Sequence, residues 1–404
     1  MQEKEPPFAQ ADVGPRWIQI DLDAIMRNVN TIKSLLQPDT RLMAVVKADA
    51  YGFGAVDVSR AVIAAGADML GVTTVDEGVE LREKGVEAPI LIFAPLLPQE
   101  GELAARYGLT GTVTSLDMLE TVYAGLGLPA KIHIKVNTGM NRFGMEPGQV
   151  VQCINRANSI AGLEVEGVYT HLATSAATNK ACMEKQFGVF SQVIKALEEQ
   201  QLDIPIKHIC NSAAVLEMPQ MHLDMVRVGN LLYGQYPIGC KGKLELEDPW
   251  AAHARILQVR QVPKGGVVGY GCDFKARKDT KVGIITVGFA DGLDIAPQFK
   301  PKSLNDLLRM LAKTILSFFG KRMGNPLVTK GGKPLRVLGR IGMQVTAVDL
   351  SGMEEVISGD IVQVFLRRTT ASSRLPRVYL LDGEMKSVRT SSEYRSFKRE
   401  YLQP

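Results

Sequence analysis

The 404-residue sequence has little cysteine: Cys153, Cys182, Cys210, Cys240 and Cys272 are its five. None falls in a C-x-x-C spacing, which speaks against a disulfide framework and against a structural zinc site, so no metal is expected. No apolar run reaches the ~18–20 residues that cross a bilayer. Residues 1–16 lack the apolar stretch of a signal peptide and are read as a short flexible leader on a cytoplasmic protein. Charge of one sign is also scarce. Lys and Arg number 47 against 43 Asp and Glu, a net of +4, too weak to imply a nucleic-acid partner. Hydrophobic residues at 46% and charged residues at 22% exclude a disordered chain, and the length fits two domains or three.

What is present is a rhythm. Short apolar runs at Leu42–Val46, Met69–Thr73, Ile90–Phe93, Thr110–Thr114, Ile132–Val136, Leu163–Tyr169, Lys207–Cys210 and Met225–Val228 alternate with helix-like segments. Those segments are Val56–Ala65, Val75–Lys84, Pro98–Tyr107, Leu116–Tyr123, Pro147–Ile160 and Lys180–Gln200. Repeated βα units of this kind predict an α/β chain with a closed (β/α)8 TIM-like barrel over residues 17–239, an open doubly wound sheet being the alternative. Asp21 or Asp23 is expected to cap a helix over Ala24–Leu36. After residue 240 the runs Ala254–Val262, Val282–Val287, Leu335–Leu338, Gln344–Val348 and Ile361–Phe365 are separated by Gly, Pro and Asp clusters without crossover helices. They predict a mostly β C-terminal domain over 240–404.

A barrel enzyme carries its chemistry at the C-terminal ends of its strands. The predicted strands end at Lys47, at Lys135 and Asn137, at His171, at Asn211 and Ser212, and at Arg227. The most informative stretch is Ala44–Gly54, where a lysine leaves an apolar strand and is followed by a tyrosine and glycines. A partly desolvated lysine loses its proton near neutral pH and can form a Schiff base.

Here the sequence resembles the alanine racemases. The resemblance runs from about Trp17 to about Arg399 and rests on ordered motifs: Ile20–Ile25, Lys47–Gly52, Asn137–Gly144, Glu166–His171, Cys210–Ala214, Val226–Gly229, Gly269–Gly271 and Gly339–Met343. It implies a barrel, a β-rich C-terminal domain and pyridoxal 5'-phosphate as cofactor. It also implies an amino-acid racemase that interconverts L- and D-alanine through two catalytic groups. Lys47 would hold the cofactor as a Schiff base and move a proton on one face of the substrate, and Tyr270 would act on the other face from the partner subunit of a homodimer. The cofactor-binding positions implied are Lys47, Tyr51, His171, Asn211, Ser212, Arg227, Gly229, Asn230 and Tyr394. Arg227 would face the ring nitrogen with His171 supporting it, and Arg142 and Met343 would meet the substrate. Lys135 matches a lysine that some members carry as a carbamate buttressing Arg142.

Several positions depart from the family pattern. Asn137 and Gln344 stand where Asp is usual, Ala176 where many members are acidic, and Leu293–Ile295 where arginine is common. These changes spare the cofactor shell and alter the substrate gate, so racemisation of serine, lysine or ornithine, or a non-catalytic cofactor-binding relative, are the alternatives. A barrel decarboxylase is set aside, since its glycine-rich phosphate loop and C-terminal cysteine are missing. Residues 296–336 exceed what the family needs. Leu304, Leu307, Leu308, Leu311, Ile315, Phe318 and Phe319 fall on one helical face there, with Ser303 and Gly320 as expected cap and stop, so an inserted helix near 303–320 is expected to lie against its own domain or dimer, a partner-binding or membrane-surface helix being the alternative. The segment holds nine Lys and Arg against Asp306 alone, a net of +8 that leaves −4 for the rest of the chain.

Overall fold

The computed structural model describes residues 13–174, 180–242, 244–295, 301, 304–318, 325–390 and 394–396. The chain divides into two units, residues 22–249 and the stretches on either side of them. Strand β1 (Arg16–Asp21) is followed at once by helix Leu22–Lys33. Asp21 therefore stands at the entry of that helix. Asp23, the other expected cap, lies inside the first turn, where its carboxylate complements the positive helix end.

The unit 22–249 is a barrel. Strands β2 (Arg41–Val45), β3 (Met69–Val72), β4 (Ile90–Pro95), β5 (Thr110–Val113), β6 (Ala130–Lys135), β7 (Leu163–Tyr169), β8 (Ile206–His208) and β9 (Met225–Val228) pair in chain order, and β9 closes onto β2. Every run expected to be a barrel strand is one, and the open sheet is excluded. Strands covered on both faces read as unbroken apolar runs, which is why the sequence marked them. Met43, Met69, Leu91, Tyr169, Ile206 and Met225 from six strands form one buried cluster inside. Side chains cap the helices that return between strands. Thr74 and Glu77 form a capping box on Val75–Glu83, and Ser115 accepts from the Met118 N–H.

In the second unit β10 (Trp250–Val262) pairs antiparallel with β1, with Thr280–Ile285 and with Ile361–Val364. β1 is also paired, in parallel, with Arg377–Leu381. The expected boundaries of 17–239 and 240–404 differ from this division at both ends. The backbone donors and acceptors of β1 are satisfied by strands of the C-terminal sheet. Residues 240–249 stay with the barrel because the buried Asn28 amide donates to the Leu232 and Glu247 carbonyls (3.1 and 2.9 Å) and accepts from the Glu247 N–H. Of the expected leader, residues 1–12 lie outside the described residues and Arg16 opens β1.

The inserted helix is Leu304–Phe318. Its expected cap Ser303 and stop Gly320 lie outside the described residues. The apolar face, expected to lie against its own domain or dimer, is left uncovered by its own chain, with Leu304 at 71% and Ile315 at 58%. Among the described residues, no helix is long and apolar enough to cross a membrane and no His, Cys, Asp and Glu cluster is built to hold a metal.

Candidate active site

The barrel strands deliver their polar residues to one cavity of about 170 Å³, lined by Lys47, Tyr51, Lys135, Arg142, Tyr169, His171, Asn211, Ser212, Arg227, Gly229 and Asn230 with Val45, Phe93, Ala213 and Pro237. Ten positions expected in the barrel part of the site thus converge. Tyr270, Met343 and Tyr394 belong to the other unit. Tyr270 and Met343 are 81% and 64% exposed, and Tyr394 lies on strand Tyr394–Ser396. Ala176 lies outside the described residues, and Gln344 is exposed.

Lys47 leaves β2 into a backbone turn of reversed hand. Ala48, Asp49, Ala50 and Tyr51 have φ of 52, 54, 51 and 59°, and Gly52 continues at 91°. Left-handed backbone costs L-residues roughly 1–2 kcal/mol each, so neighbouring contacts must hold the turn. Glu77 does so through its carboxylate, which accepts the N–H groups of Ala48 (2.6 Å) and Thr73 (2.6 Å). Asp49 accepts the Ala55 N–H at 2.8 Å. Glu77 was not singled out from sequence, although the Thr74-x-x-Glu77 capping box is a readable signal. Burial and the Arg142 cation lower the Lys47 pKa, opposed by Glu77, so the amine is released toward its nucleophilic, neutral form.

Arg227 is buried in the barrel, and burial lowers its pKa to about 10, leaving it charged at neutral pH. It donates to the carbonyls of Thr170 (2.7 Å) and Ile209 (3.1 Å), to His171 Nδ1 (3.3 Å) and to His208 Nδ1 (2.9 Å). The last contact fixes a chain of tautomers. His208 accepts at Nδ1, so its Nε2–H donates to His133 Nδ1 (2.9 Å), and His133 Nε2–H donates to Glu166 (3.3 Å), which meets Lys131 (2.9 Å). Burial, then Arg227, drives both His171 and His208 well below the ordinary histidine range. His171 was expected to support Arg227, and it does make contact. The nearer support, His208 with His133 behind it, was missed; the signal available was a histidine in two of the apolar strand runs.

Lys135 is buried at the end of β6, 5.1 Å from the Tyr169 ring centroid. Burial and the cations Arg227, Arg142 and Lys47 lower its pKa to about 7. Asn211 lies at the cavity wall, but its oxygen accepts the N–H groups of Ala213 and Ala214 (3.1 Å each) and its nitrogen donates to the Thr174 carbonyl (2.9 Å). It therefore fixes the loop that presents Ser212. Ser212 Oγ accepts the Gly229 N–H at 3.2 Å, which leaves its own proton to donate. A methyl group at Gly229 would stand 2.4 Å from the Tyr51 hydroxyl, so this corner has room for glycine alone. Burial raises Tyr51 to about 12, so it too stays a donor.

Other proteins are similar to this chain in sequence and in fold. Residues 20–237 match the alanine racemase N-terminal domain family and residues 250–378 the alanine racemase C-terminal domain family. The chain belongs to the alanine racemase family. An alanine racemase of Methanococcus maripaludis is 35% identical over 91% of this chain and 99% of its own length. One from Desulforamulus reducens is 36% identical over 87% and 90% respectively. Among solved structures, the alanine racemase of Clostridium difficile 630 superposes with a TM-score of 0.82 at 30% identity, covering 93% of this chain and 98% of that one. The Bacillus anthracis alanine racemase with bound L-Ala-P gives 0.79 at 27% identity, covering 93% and 97%.

Asn137 is held by four bonds. Its oxygen accepts the N–H groups of Gly139 (3.2 Å) and Asn141 (3.1 Å), while its nitrogen donates to Asn141 (2.8 Å) and Glu146 (3.1 Å). An aspartate would keep the accepted bonds, lose the donated ones and set a second carboxylate against Glu146. Asn137→Asp is expected to cost ~1–3 kcal/mol at neutral pH by denaturant titration. Adding Glu146→Ala should recover much of that loss; an unchanged penalty in the double variant would show that the carboxylate pair is not its source.

Proposed function

We propose that this chain is a pyridoxal-phosphate-dependent racemase of alanine. The observation that carries the reading is the cavity itself, where Lys47, Lys135, Arg142 and Arg227 converge and where, among the described residues, no carboxylate lines the wall. Such a site suits an anionic cofactor and a substrate carboxylate. A cavity of about 170 Å³ exceeds the ~150 Å³ that admits a benzene ring, and the hydroxyls of Tyr51 and Ser212 beside Gly229 form a donor cradle for phosphate oxygens. The residues present therefore fit the cofactor. When bound, pyridoxal phosphate supplies the electron sink that makes the substrate Cα–H acidic.

The chain's own residues do the rest. Lys47 would hold the cofactor through Nζ and then carry a proton to and from Cα on one face. Arg227, held by His208 and His171, would hold the ring nitrogen of the cofactor and, as an arginine, would not give its proton away. Arg142 orients the substrate carboxylate. Tyr270, reaching over from the second subunit of a homodimer, serves the opposite face, and Met343 and Tyr394 complete the substrate and phosphate contacts. The cytoplasm is the proposed location, in keeping with five cysteines that all remain thiols. Incubating the purified enzyme with L-alanine, L-serine, L-lysine and L-ornithine separately and measuring each D-enantiomer tests the reading. Alanine is expected to turn over fastest, and no D-product from any of them would overturn it.

Lys135 completes the proposal. With its pKa near 7 its amine nitrogen is neutral at mildly alkaline pH and can bond to the carbon of CO2, releasing one proton. The resulting carbamate anion would be stabilised by Arg142, Arg227 and Lys47, which now oppose the ammonium. Modification is expected to rise as pH increases through about 7, because only the unprotonated amine reacts. Magnetic resonance with labelled bicarbonate should show one slow-exchanging carbamate signal, absent in Lys135→Met. A wild-type spectrum without that signal at alkaline pH would exclude the modification.

A further inference from the structure

Helix Leu304–Phe318 supplies no strand of the barrel or the sheet and no residue of the cavity. Leu304, Leu307, Leu308, Leu311 and Ile315 recur at steps of three and four and so fall within an arc of about 100°. They are 71, 42, 54, 51 and 58% exposed. Arg309 and Lys313 lie on the far side of the helix, with Asp306. Single exposed leucines are ordinary, whereas five aligned on one helix form a face made to be covered.

Charge indicates what covers it. Residues 300–322, the helix and the stretches on either side of it, hold six Lys and Arg against Asp306, a net of +5 that leaves −1 for the remainder of the chain. Pairing this face with a second copy of itself would bring two +5 segments together. An anionic lipid surface is complementary to both properties at once, with the apolar arc in the acyl boundary and the lysines and arginines among the headgroups. The helix has 15 residues, too few to span a bilayer, which takes ~20, so it would lie in the surface plane. We infer that this helix docks the enzyme peripherally on membranes rich in anionic phospholipid. The inference rests on the helix and its charge, and stands or falls apart from the racemase reading.

The full chain is mixed with vesicles of phosphatidylcholine containing roughly one third phosphatidylglycerol and sedimented. It is expected to pellet with these vesicles, to stay in solution with pure phosphatidylcholine, and to be released by high salt. Replacing Leu308→Asp and Leu311→Asp together should cut the bound fraction roughly tenfold without changing the racemisation rate. Arg309→Glu with Lys313→Glu should weaken binding to anionic vesicles while leaving the apolar arc intact. Failure of the wild-type chain to pellet with anionic vesicles overturns the inference. So does undiminished binding by the paired leucine variant. If that variant lowers the molecular mass in solution and the wild-type chain ignores vesicles, the face belongs to a contact between copies.

Discussion

Lys47→Ala is expected to lower alanine racemisation by more than about 10⁴-fold and to yield a colourless protein after purification with excess pyridoxal phosphate. The magnitude follows from two losses at one atom: the amine that would hold the cofactor and the group that would carry a proton at one face of the substrate. Lys47 is set apart from the other cavity cations by position, since it leaves β2 directly into the cavity. Burial and Arg142 lower its pKa, which favours the unprotonated amine needed for both tasks. Lys47 precedes the left-handed residues Ala48–Tyr51, so alanine there should leave the turn and the circular dichroism unchanged. A yellow Lys47→Ala protein with the wild-type rate would remove the lysine from the chemistry.

Tyr270→Phe is expected to retain the cofactor and lose roughly 10²–10⁴-fold in rate, the scale of one positioned acid–base group. The side chain is held outward by its backbone, because the flanking Gly269 and Gly271 take φ of 80 and 72°. The Arg340–Asp273 ion pair closes over the turn, and a methyl on Gly271 would stand 2.9 Å from the Asp273 carboxylate. The hydroxyl is therefore presented on a fixed loop, and its removal should not disturb packing. Loss should differ between the two directions, read as unequal solvent deuterium uptake from L- and D-alanine. Mixing Lys47→Ala with Tyr270→Phe subunits tests the cross-subunit placement. A mixed dimer has one site with both groups intact, so random mixing should restore about a quarter of the wild-type activity. No restoration would place Tyr270 beside the Lys47 of its own chain, and full activity of Tyr270→Phe alone would end the two-group assignment.

Much of the barrel was legible because burial on both faces forces strands such as Leu163–Tyr169 and Met225–Val228 into short continuous apolar runs, and a run is readable without knowing its neighbours. The site residues were legible for a related reason, since a polar residue terminating such a run, as Lys47 and Arg227 do, is placed at the strand end by the fold itself. Residues 17–21 were grouped with the barrel because nothing local to them says which strands take their hydrogen bonds. The inserted helix was legible as a helix from its spacing, while its exposure was not, because amphipathicity shows that a face wants cover and does not say whether the chain supplies it.

By itself, then, the sequence determined the order of the barrel strands, the polar strand ends Lys47, Lys135, His171, Asn211, Ser212 and Arg227, and the concentration of positive charge in residues 296–336, all of which follow from local patterns; Tyr51, Arg142, Gly229 and Asn230 came only from the family resemblance. Tertiary structure alone decided three things. Nothing in Ala48-Asp49-Ala50-Tyr51 favours a left-handed turn, and it persists because Glu77 accepts the Ala48 N–H and Asp49 ties the turn to the Ala55 N–H. Asn211 looked like a cofactor contact, and its amide also fixes the Ser212 loop through Ala213, Ala214 and Thr174. The line from Arg227 through His208 and His133 to Glu166 joins strands β9, β8, β6 and β7, residues up to 94 positions apart. Hydrogen bonds of that kind are set by which strands the barrel brings side by side, and only closing the barrel fixes those neighbours.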